Sequence, residues 1–362
     1  MYGEMAEDSS SVSHLSVVMT TSMAHHTGGN TMTSSSQRGI EFYFQCAVLV
    51  IALVATAGNG LVLYALFASK QHKKHFLIVH QNIVDLFTSS VTSLIYVLQF
   101  SNIYLTGSVG YWLCALILSQ GLFWWGTIAS VINLAIITVE RYIKIVYPVW
   151  SKNKLKNWMI YLAIAIAWII PFFAYVVTRF PSMVVIDGVC YASHGNASYV
   201  ERIIFVIWEF LSFYVLIIFI FVFCYWRILI VIRRQARVMA GHSAAGSSAS
   251  AQAQSNQIQT NVIKTMVLVS ALYAISWSPF ICAVVLYLYP FQIQSESIYY
   301  STTFIAYSYM CTNPFIYATK FNPVKQVLLR MIPCKKTNER NTETVSTGQS
   351  VTPRTIHVLS NQ

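Results

Sequence analysis

The sequence CALILSQGLFWWGTIASVINLAIITVERYIKIVYP, residues 114–148, decides the fold. Its apolar run from Ala115 to Val139 carries no charged side chain and ends at the triplet Glu140-Arg141-Tyr142. At a rise of about 1.5 Å per residue, a helix over this run exceeds the roughly 30 Å thickness of a bilayer's hydrocarbon core. We therefore predict a membrane-spanning helix that carries an acid–base pair at its inner end.

The composition is that of a membrane protein. Of 362 residues, 56% are hydrophobic and only 10% are charged, which is too apolar for a water-soluble domain of this length. The net charge of +11 does not indicate nucleic-acid binding, because Lys and Arg lie in short segments between apolar runs. The seven cysteines lack the spacing of a metal site, so no cofactor is expected apart from the Na⁺ considered below.

Seven apolar runs are long enough to cross a bilayer as helices. They cover residues 42–68, 76–100, 111–146, 158–177, 203–232, 262–288 and 298–319. The predicted fold is therefore all-α, a seven-transmembrane helix bundle over residues 42–319. Residues 1–41 are rich in Ser, Thr, Met and His and are expected to form a disordered tail, as are residues 335–362.

The distribution of basic residues gives the orientation. Lysine and arginine follow the first, third, fifth and seventh runs, which places those segments in the cytoplasm: Lys70, Lys73, Lys74, Lys144, Lys152, Arg233, Arg234, Lys320 and Lys325. An odd number of helices then places the N-terminus outside, and we expect a multi-pass protein of the plasma membrane. Asn196, in the sequon Asn-Ala-Ser between the fourth and fifth runs, lies on the same outer side and is a candidate N-glycosylation site.

Residues 320–334 follow the last run and alternate apolar with basic side chains. This pattern suits a short amphipathic helix that lies on the cytoplasmic face of the membrane and contacts lipid. Cys334 ends the segment at the predicted interface. It is a candidate for S-palmitoylation, with an unmodified thiol as the alternative.

Four polar side chains fall inside the predicted spans at comparable inner depths. They are Asp85 in the second run, Asn59 in the first, Ser130 in the third and Asn313 in the seventh. A charged side chain in a bilayer costs several kcal/mol, so Asp85 needs a partner. The four could surround a water molecule or a cation, or they could form a hydrogen-bonded network that only holds helices together.

Six short motifs occur in six of the seven runs, in a fixed order. They are Gly58-Asn59, Asp85, Glu140-Arg141-Tyr142, Trp168, Trp277-Ser278-Pro279 and Asn313-Pro314-Phe315-Ile316-Tyr317. Together they resemble the rhodopsin-like (class A) G-protein-coupled receptors, most closely the invertebrate orphan receptors of that class. The fifth run has no proline, and only Tyr225 near its inner end matches the pattern of the family.

The resemblance implies a switch at the inner face. In the family, the acid at Glu140 restrains the arginine at Arg141, and activation frees that arginine to face a heterotrimeric G protein. Tyr142, Tyr225 and Tyr317 belong to the same region, and Trp277, Pro279, Asn313 and Pro314 resemble the microswitches that couple to it. Residues 257–261 lack the second acid that many members carry, so we predict a weak restraint and some basal activity. Receptor kinases and arrestin are the further partners that the resemblance implies.

The resemblance also implies a disulfide and an ion site. Cys114 and Cys190 match the bridge from the third helix to the second outer loop. Cys114 lies two residues further from Arg141 than is usual, which predicts a local irregularity at the top of that helix. Asp85, Ser130 and Asn313 resemble a sodium pocket, but Tyr309 and Met310 replace its usual small polar residues.

The predicted ligand pocket is aromatic and mildly polar. Phe123 stands where amine receptors carry an aspartate, and Tyr307 stands where opsins carry the retinal lysine, so neither ligand class is expected. Glu209 could receive a cationic ligand group, or it could reach the outer surface or pair with Arg202. The full predicted lining is Gln120, Phe123, Trp124, Thr127, Glu209, Trp277, Thr303 and Tyr307.

These observations favour a receptor over two other classes of membrane protein. A transporter or channel would be expected to show repeats, paired intramembrane charges or broken helices. An intramembrane enzyme would need a nucleophile with its base, or a metal site, at matching depth. Within the receptor class, we expect a peptide ligand, with a small molecule or a chemosensory cue as the alternatives.

Overall fold

The protein is a bundle of long helices. The computed structural model describes residues 33–178, 180–192, 199–241, 248–287 and 295–331. We number the helices α1 (Thr33–Ala68), α2 (Phe76–Phe100), α3 (Gly121–Val146), α4 (Asn157–Pro171), α5 (Tyr199–Phe210 and Leu216–Gly241), α6 (Ser248–Tyr287), α7 (Glu296–Ser308 and Thr312–Lys320) and α8 (Asn322–Met331). Shorter helices, Gly107–Trp112 and Pro148–Lys154, flank α3.

Six of these helical segments are long and apolar enough to cross a membrane, within the part of the chain that the structure describes. They are Gly39–Ala68, Phe76–Phe100, Gly107–Val146, Asn157–Val177, Ile203–Gln235 and Ile263–Leu286. The seventh, α7, is interrupted by the 3-10 turn Tyr309–Cys311, which ends three residues before Pro314. A seventh helix of mixed polarity therefore completes the bundle that the sequence predicted.

Helix α3 lies at the centre of the bundle. It packs against α2, α4 and α5, whereas α7 packs against α1 and α6. Gly126 allows α2 and α3 to approach closely, because a Cβ atom at this position would lie 2.2 Å from Thr88 Oγ1. Gly58 similarly faces Pro314, at 3.0 Å from a built Cβ to the proline Cβ. Small residues at such crossings are typical of membrane helix pairs.

The outer end of α3 is irregular, as the spacing of Cys114 predicted. A π-helical turn, Leu113–Leu118, precedes α3, and Gln120 adopts a left-handed conformation with φ 59°. A π-helical turn accommodates an extra residue, and a left-handed residue ends a helix. The π-helical turn and the left-handed Gln120 together accommodate the extra length between Cys114 and Arg141.

The second outer loop forms a β-hairpin that the sequence analysis did not predict. Strands β1 (Met183–Ile186) and β2 (Val189–Ala192) are antiparallel and are joined by Asp187 and Gly188, both with positive φ. Asp-Gly is the dipeptide that favours such two-residue turns, so the signal was present in the sequence. The carbonyl of Gly188 accepts a hydrogen bond from Leu105 N at 2.9 Å, which fastens the hairpin to the loop after α2.

The first helix and the helix after the last span define the two ends of the described bundle. Helix α1 begins at Thr33, inside the segment 1–41 that we expected to be disordered; residues 33–38 contain no proline or glycine that would stop the helix from extending beyond the bilayer. The amphipathic helix after the last span is present as α8, with Val324 buried and Leu329 exposed. Asn196, Cys334 and residues 335–362 lie outside the described residues.

Candidate functional site

A hydrogen-bonded polar cluster surrounds Asp85 inside the bundle. Ser130 Oγ donates to Asp85 Oδ1 at 2.6 Å, and Asn313 Nδ2 donates to Oδ2 at 2.6 Å. Gln81 Nε2 donates to Ser130 Oγ at 2.5 Å and lies 3.1 Å from Oδ1 and 3.3 Å from Oδ2 of Asp85. All four residues are buried. The structure thus joins three of the four predicted members and adds Gln81, which the sequence analysis had not identified.

Asn59 does not take part in these bonds to Asp85. Its Nδ2 donates to the carbonyl oxygen of Ala55, 2.9 Å away and one turn earlier in α1. The Asn59 side chain therefore donates its hydrogen bond within α1 and not to Asp85. We correct the predicted cluster accordingly to Asp85, Ser130, Asn313 and Gln81.

A small cavity joins this polar cluster to the predicted ligand pocket. Its volume is ≈ 20 Å³, enough for about one water molecule. Polar-cluster and pocket residues line it together: Asp85, Thr88, Phe123, Thr127, Ser130, Val131, Trp277, Ala306, Tyr307, Tyr309, Met310 and Asn313. Asp85 and the pocket residues Phe123, Trp277 and Tyr307 therefore face the same cavity.

Aromatic contacts fill the pocket side of this cavity. The rings of Phe123 and Tyr307 lie 4.7 Å apart, and those of Trp124 and Trp277 lie 5.9 Å apart. The Tyr307 hydroxyl donates to Gln120 Oε1 at 3.4 Å, which ties α7 to the break above α3. The structure thus brings five predicted pocket residues into contact.

The remaining three predicted pocket residues differ in their placement. Thr127 lines the cavity. Thr303 is buried on α7 and Glu209 is half-buried on α5, and neither is among the residues that line this cavity. The cavity in this structure is therefore smaller than the pocket that the sequence predicted.

Two tyrosines, Tyr214 and Tyr273, tie α5 to α6 beside Trp277. The Tyr273 hydroxyl donates to the carbonyl oxygen of Phe213 at 3.1 Å, and the Tyr214 hydroxyl donates to that of Ala274 at 3.2 Å. Phe213 and Tyr214 belong to a π-helical turn of α5, Leu211–Val215. We call this arrangement the tyrosine pair. The sequence analysis missed it, because neither tyrosine belongs to a family motif.

The acid–base pair lies at the inner end of α3. Arg141 Nε is 3.1 Å from Glu140 Oε2, but the N–H is not aimed along this contact, so Nε makes no hydrogen bond within the described chain. Lys144, one turn later, forms a second ion pair with Oε1 of the same carboxylate. Glu140 is buried, whereas the side chains of Arg141 and Lys144 are 25% and 47% exposed.

The inner tyrosines differ in their bonding. The Tyr225 hydroxyl lies 3.0 Å from Thr138 Oγ1 and 3.1 Å from Ser270 Oγ, so it links α5 to α3 and α6. The Tyr317 hydroxyl is buried with no hydrogen-bond partner among the described residues. Tyr142 contacts the ring of Phe223 at 5.8 Å. The switch residues therefore lie on α3, α5 and α7, and Tyr225 also bonds to α6.

A histidine just before α2 faces this inner site. Burial, followed by the positive charges of Arg141 and Lys74, lowers the pKa of His75 to about 4. Its ring packs edge-on against Phe321, at 4.9 Å, where α7 ends and α8 begins. His75 is therefore neutral at physiological pH, and a proton on it would oppose Arg141.

The opposite end of the bundle carries the predicted disulfide. Cys114 and Cys190 are bonded, with their Cα atoms 5.4 Å apart. The bond joins the π-helical turn before α3 to strand β2. One helix thus has a covalent anchor at one end and the acid–base pair at the other.

Comparison with known proteins agrees with this architecture. The sequence matches the family described as 7 transmembrane receptor (rhodopsin family) over residues 58–317. No curated protein sequence matches the chain significantly. The crystal structure of squid rhodopsin superposes with a TM-score of 0.66 at 17% identity, over 82% of this chain and 87% of the squid chain, which shows a common fold. Since the family match covers most of the chain, the protein belongs to the rhodopsin family of seven-transmembrane receptors.

Proposed function

We propose that the protein is a plasma-membrane receptor that converts an extracellular ligand into nucleotide exchange on a heterotrimeric G protein. The observation that carries this proposal is the arrangement along α3. Phe123 and Thr127 line the inner end of an aromatic pocket, Ser130 binds Asp85 below it, and Arg141 lies at the inner end of the same helix. A movement at the pocket can therefore bias the charged pair without a separate relay.

The orientation of the chain follows from its two ends. The disulfide between Cys114 and Cys190 requires an oxidising compartment, so this end of the bundle faces outward. The basic residues that follow α1, α3, α5 and α7 lie at the other end, as cytoplasmic segments do. Both features support the proposed orientation, in which Arg141 faces a cytoplasmic G protein and the N-terminus lies outside.

The inner switch is only partly restrained. Glu140 is shared between Arg141 and Lys144, and the contact to Arg141 lacks a hydrogen bond from Nε. A charge contact without good hydrogen-bond geometry compensates little of the desolvation of the two groups. The receptor is therefore expected to signal to some extent without ligand.

The variants Glu140→Gln and Lys144→Gln test this restraint. Glu140→Gln should raise ligand-free signalling, because Arg141 loses its counter-charge. Lys144→Gln should lower it, because Glu140 is then left to Arg141 alone. Ligand-free signalling is measured at matched surface expression against cells without receptor. Wild-type output equal to that of those cells would contradict the weak restraint.

Helices α6 and α7 provide a second connection from the pocket to the switch, beside α3. Pro279, two residues after Trp277, removes a backbone hydrogen bond from α6, and Pro314 does the same in α7 beside Asn313. Asn313 itself binds Asp85. A kink at Pro279 gives the inner half of α6 a hinge about which it can move outward, and Pro314 gives α7 a similar point of bending.

The unsatisfied polar atoms of the pocket favour a ligand with hydrogen-bond acceptors. Trp277 Nε1 and Thr303 Oγ1 are buried without a hydrogen-bond partner among the described residues. Carbonyl oxygens of a peptide backbone would accept from both, and Glu209 could receive a cationic group of the same peptide. A small molecule with acceptors, including a chemosensory cue, is the alternative. Screening peptide and metabolite libraries on expressing cells separates the two, and Glu209→Gln should weaken a cationic agonist at least tenfold.

The variant Arg141→Ala tests the proposed function itself. A receptor should lose G-protein activation while it still reaches the surface and binds ligand. Lys152→Ala, an exposed basic residue in the short helix after α3, is the matched control and should signal normally. Undiminished signalling by Arg141→Ala would overturn the proposed role of this residue and with it the mechanism.

The remaining predicted partners and modifications lie outside the helix bundle, mostly on the cytoplasmic side. Helix α8 presents Leu329 and Met331 to its surroundings, as a helix in contact with lipid would. We propose that palmitoylation at Cys334 anchors its end, and that receptor kinases and arrestin engage the Ser- and Thr-containing segment 335–362. N-glycosylation at Asn196 is proposed for the outer face.

A further inference from the structure

The carboxylate of Asp85 is surrounded by hydrogen-bond donors from this chain. Its Oδ1 accepts from Ser130 and Gln81, and its Oδ2 accepts from Asn313 and Gln81. A carboxylate offers about four acceptor positions. Four donor contacts face them; the two from Gln81 share one N–H of its NH₂ group, because the other N–H is directed at Ser130 Oγ.

The direction of the Gln81 amide is determined by a chain of bonds that begins at an indole. Trp168 Nε1 can only donate, and it donates to His80 Nε2 at 2.9 Å. His80 therefore carries its proton on Nδ1 and donates it to Asn133 Oδ1, 2.9 Å away. Asn133 Nδ2 then donates to Gln81 Oε1 at 2.7 Å. The NH₂ group of Gln81 is thus left to point at Asp85.

These residues do not fit a bound sodium ion beside Asp85. A hard cation needs several oxygen atoms with free lone pairs. Here both carboxylate oxygens and Ser130 Oγ already accept from Gln81 Nε2, whose hydrogens carry partial positive charge. The cavity on the other side adds the side chains of Tyr309 and Met310. The same side offers only Asn313 Oδ1, which has no partner among the described residues, and the Thr127 hydroxyl; these are too few oxygens for a hard cation, so one could bind only after displacing the amide from Asp85 and Ser130.

We propose that the Gln81 amide takes the place of a cation at Asp85, so that this receptor keeps its mid-membrane polar cluster intact without Na⁺. Trp168, His80 and Asn133 act as positioning residues, because they hold the amide in the orientation that presents its donors. Removal of the amide frees lone pairs on Asp85 and Ser130 and turns the cluster into a site for a monovalent cation.

The proposal is tested by measuring the thermal unfolding midpoint of the purified full-length receptor in NaCl and in choline chloride at equal ionic strength. The wild type should show the same midpoint in both salts. Gln81→Leu should unfold earlier in choline and gain about 2–3 °C when Na⁺ exceeds its dissociation constant about tenfold. The matched control is Asn82→Leu, which removes an adjacent buried amide that donates to the Ile78 carbonyl instead of Asp85.

Two results would overturn the proposal. One is a saturable, Na⁺-specific rise in the wild-type midpoint; the other is a folded Gln81→Leu protein that gains nothing from Na⁺. If Gln81→Leu does not fold, Gln81→Ser, which also removes the amide, takes its place under the same criteria. The readout needs neither a ligand nor a G protein, so its failure is distinguishable from a failure of the proposed receptor function.

Discussion

Removing one hydroxyl from the tyrosine pair should both destabilise the receptor and raise its ligand-free signalling. Tyr273→Phe keeps the buried ring and deletes only the donor to the Phe213 carbonyl, 3.1 Å away. The bond is present in a structure in which Arg141 still contacts Glu140, the arrangement expected of the resting state. Its loss therefore disfavours that state relative to one in which α6 has moved away from α5.

The size of the effect follows from the value of one buried hydrogen bond. Such a bond contributes about 0.5–1.5 kcal/mol, and bonds between membrane helices average about 0.6 kcal/mol. A loss of about 1 kcal/mol lowers the unfolding midpoint of a chain of this size by roughly 1–2 °C, because the entropy of unfolding grows with chain length. The same energy, applied to the resting state alone, changes the ratio of active to resting receptor about fivefold.

The assay combines thermal unfolding in detergent with ligand-free signalling at matched surface expression. Tyr64→Phe is the matched control, because Tyr64 is 56% exposed on α1. Tyr214→Phe and the double variant with both substitutions complete a double-mutant cycle. Since the two rings lie 6.3 Å apart, the two losses are expected to couple. An unchanged midpoint in Tyr273→Phe would show that the hydroxyl is not bonded, and reduced ligand-free signalling would refute the assignment of the bond to the resting state.

Two further predictions concern the ends of the bundle. Gly188→Ala should lower the unfolding midpoint more than Gly107→Ala. Both glycines have positive φ, which costs about 1 kcal/mol with a side chain, but only at Gly188 would the new Cβ also displace a neighbour, the Tyr104 ring. Equal losses would contradict the clash. At the inner end, between pH 6.5 and about 4 an unfolded chain binds a proton on His75 that the folded chain does not. Stability should therefore fall as the pH drops through that range, and His75→Gln should reduce the fall.

The helical architecture could be predicted because it depends on features that are local in the sequence. Apolar runs longer than the bilayer and basic residues after every second run determine the helices and their orientation. The irregular start of α3 was also predictable, since it follows from the distance between Cys114 and Arg141. The hairpin at Asp187-Gly188 was missed although its turn carries a known signal, because two four-residue strands are too short to stand out beside long apolar helices.

The polar cluster was only partly predictable, because its bonds run between helices. Gln81 lies one turn before Asp85 on α2, which the sequence shows, but an amide at that place can point either its donor or its acceptor toward the carboxylate. The direction depends on Trp168 and Asn133, which belong to α4 and α3. Asn59 illustrates the opposite case, since a carbonyl of its own helix satisfies its amide. The positions of Gln81 and Asn59 in the sequence could not distinguish an amide that bonds to Asp85 from one that bonds within its own helix.

The places where this chain departs from its family are the places where its structure adds an interaction of its own. Helix α5 lacks the family's proline, and there a π-helical turn is fastened to α6 by Tyr273. Tyr309 and Met310 replace small polar residues beside Asp85, and there Gln81 occupies the carboxylate. If these are compensations, restoring a family residue alone should disturb the site it enters, because the substitute interaction is still present.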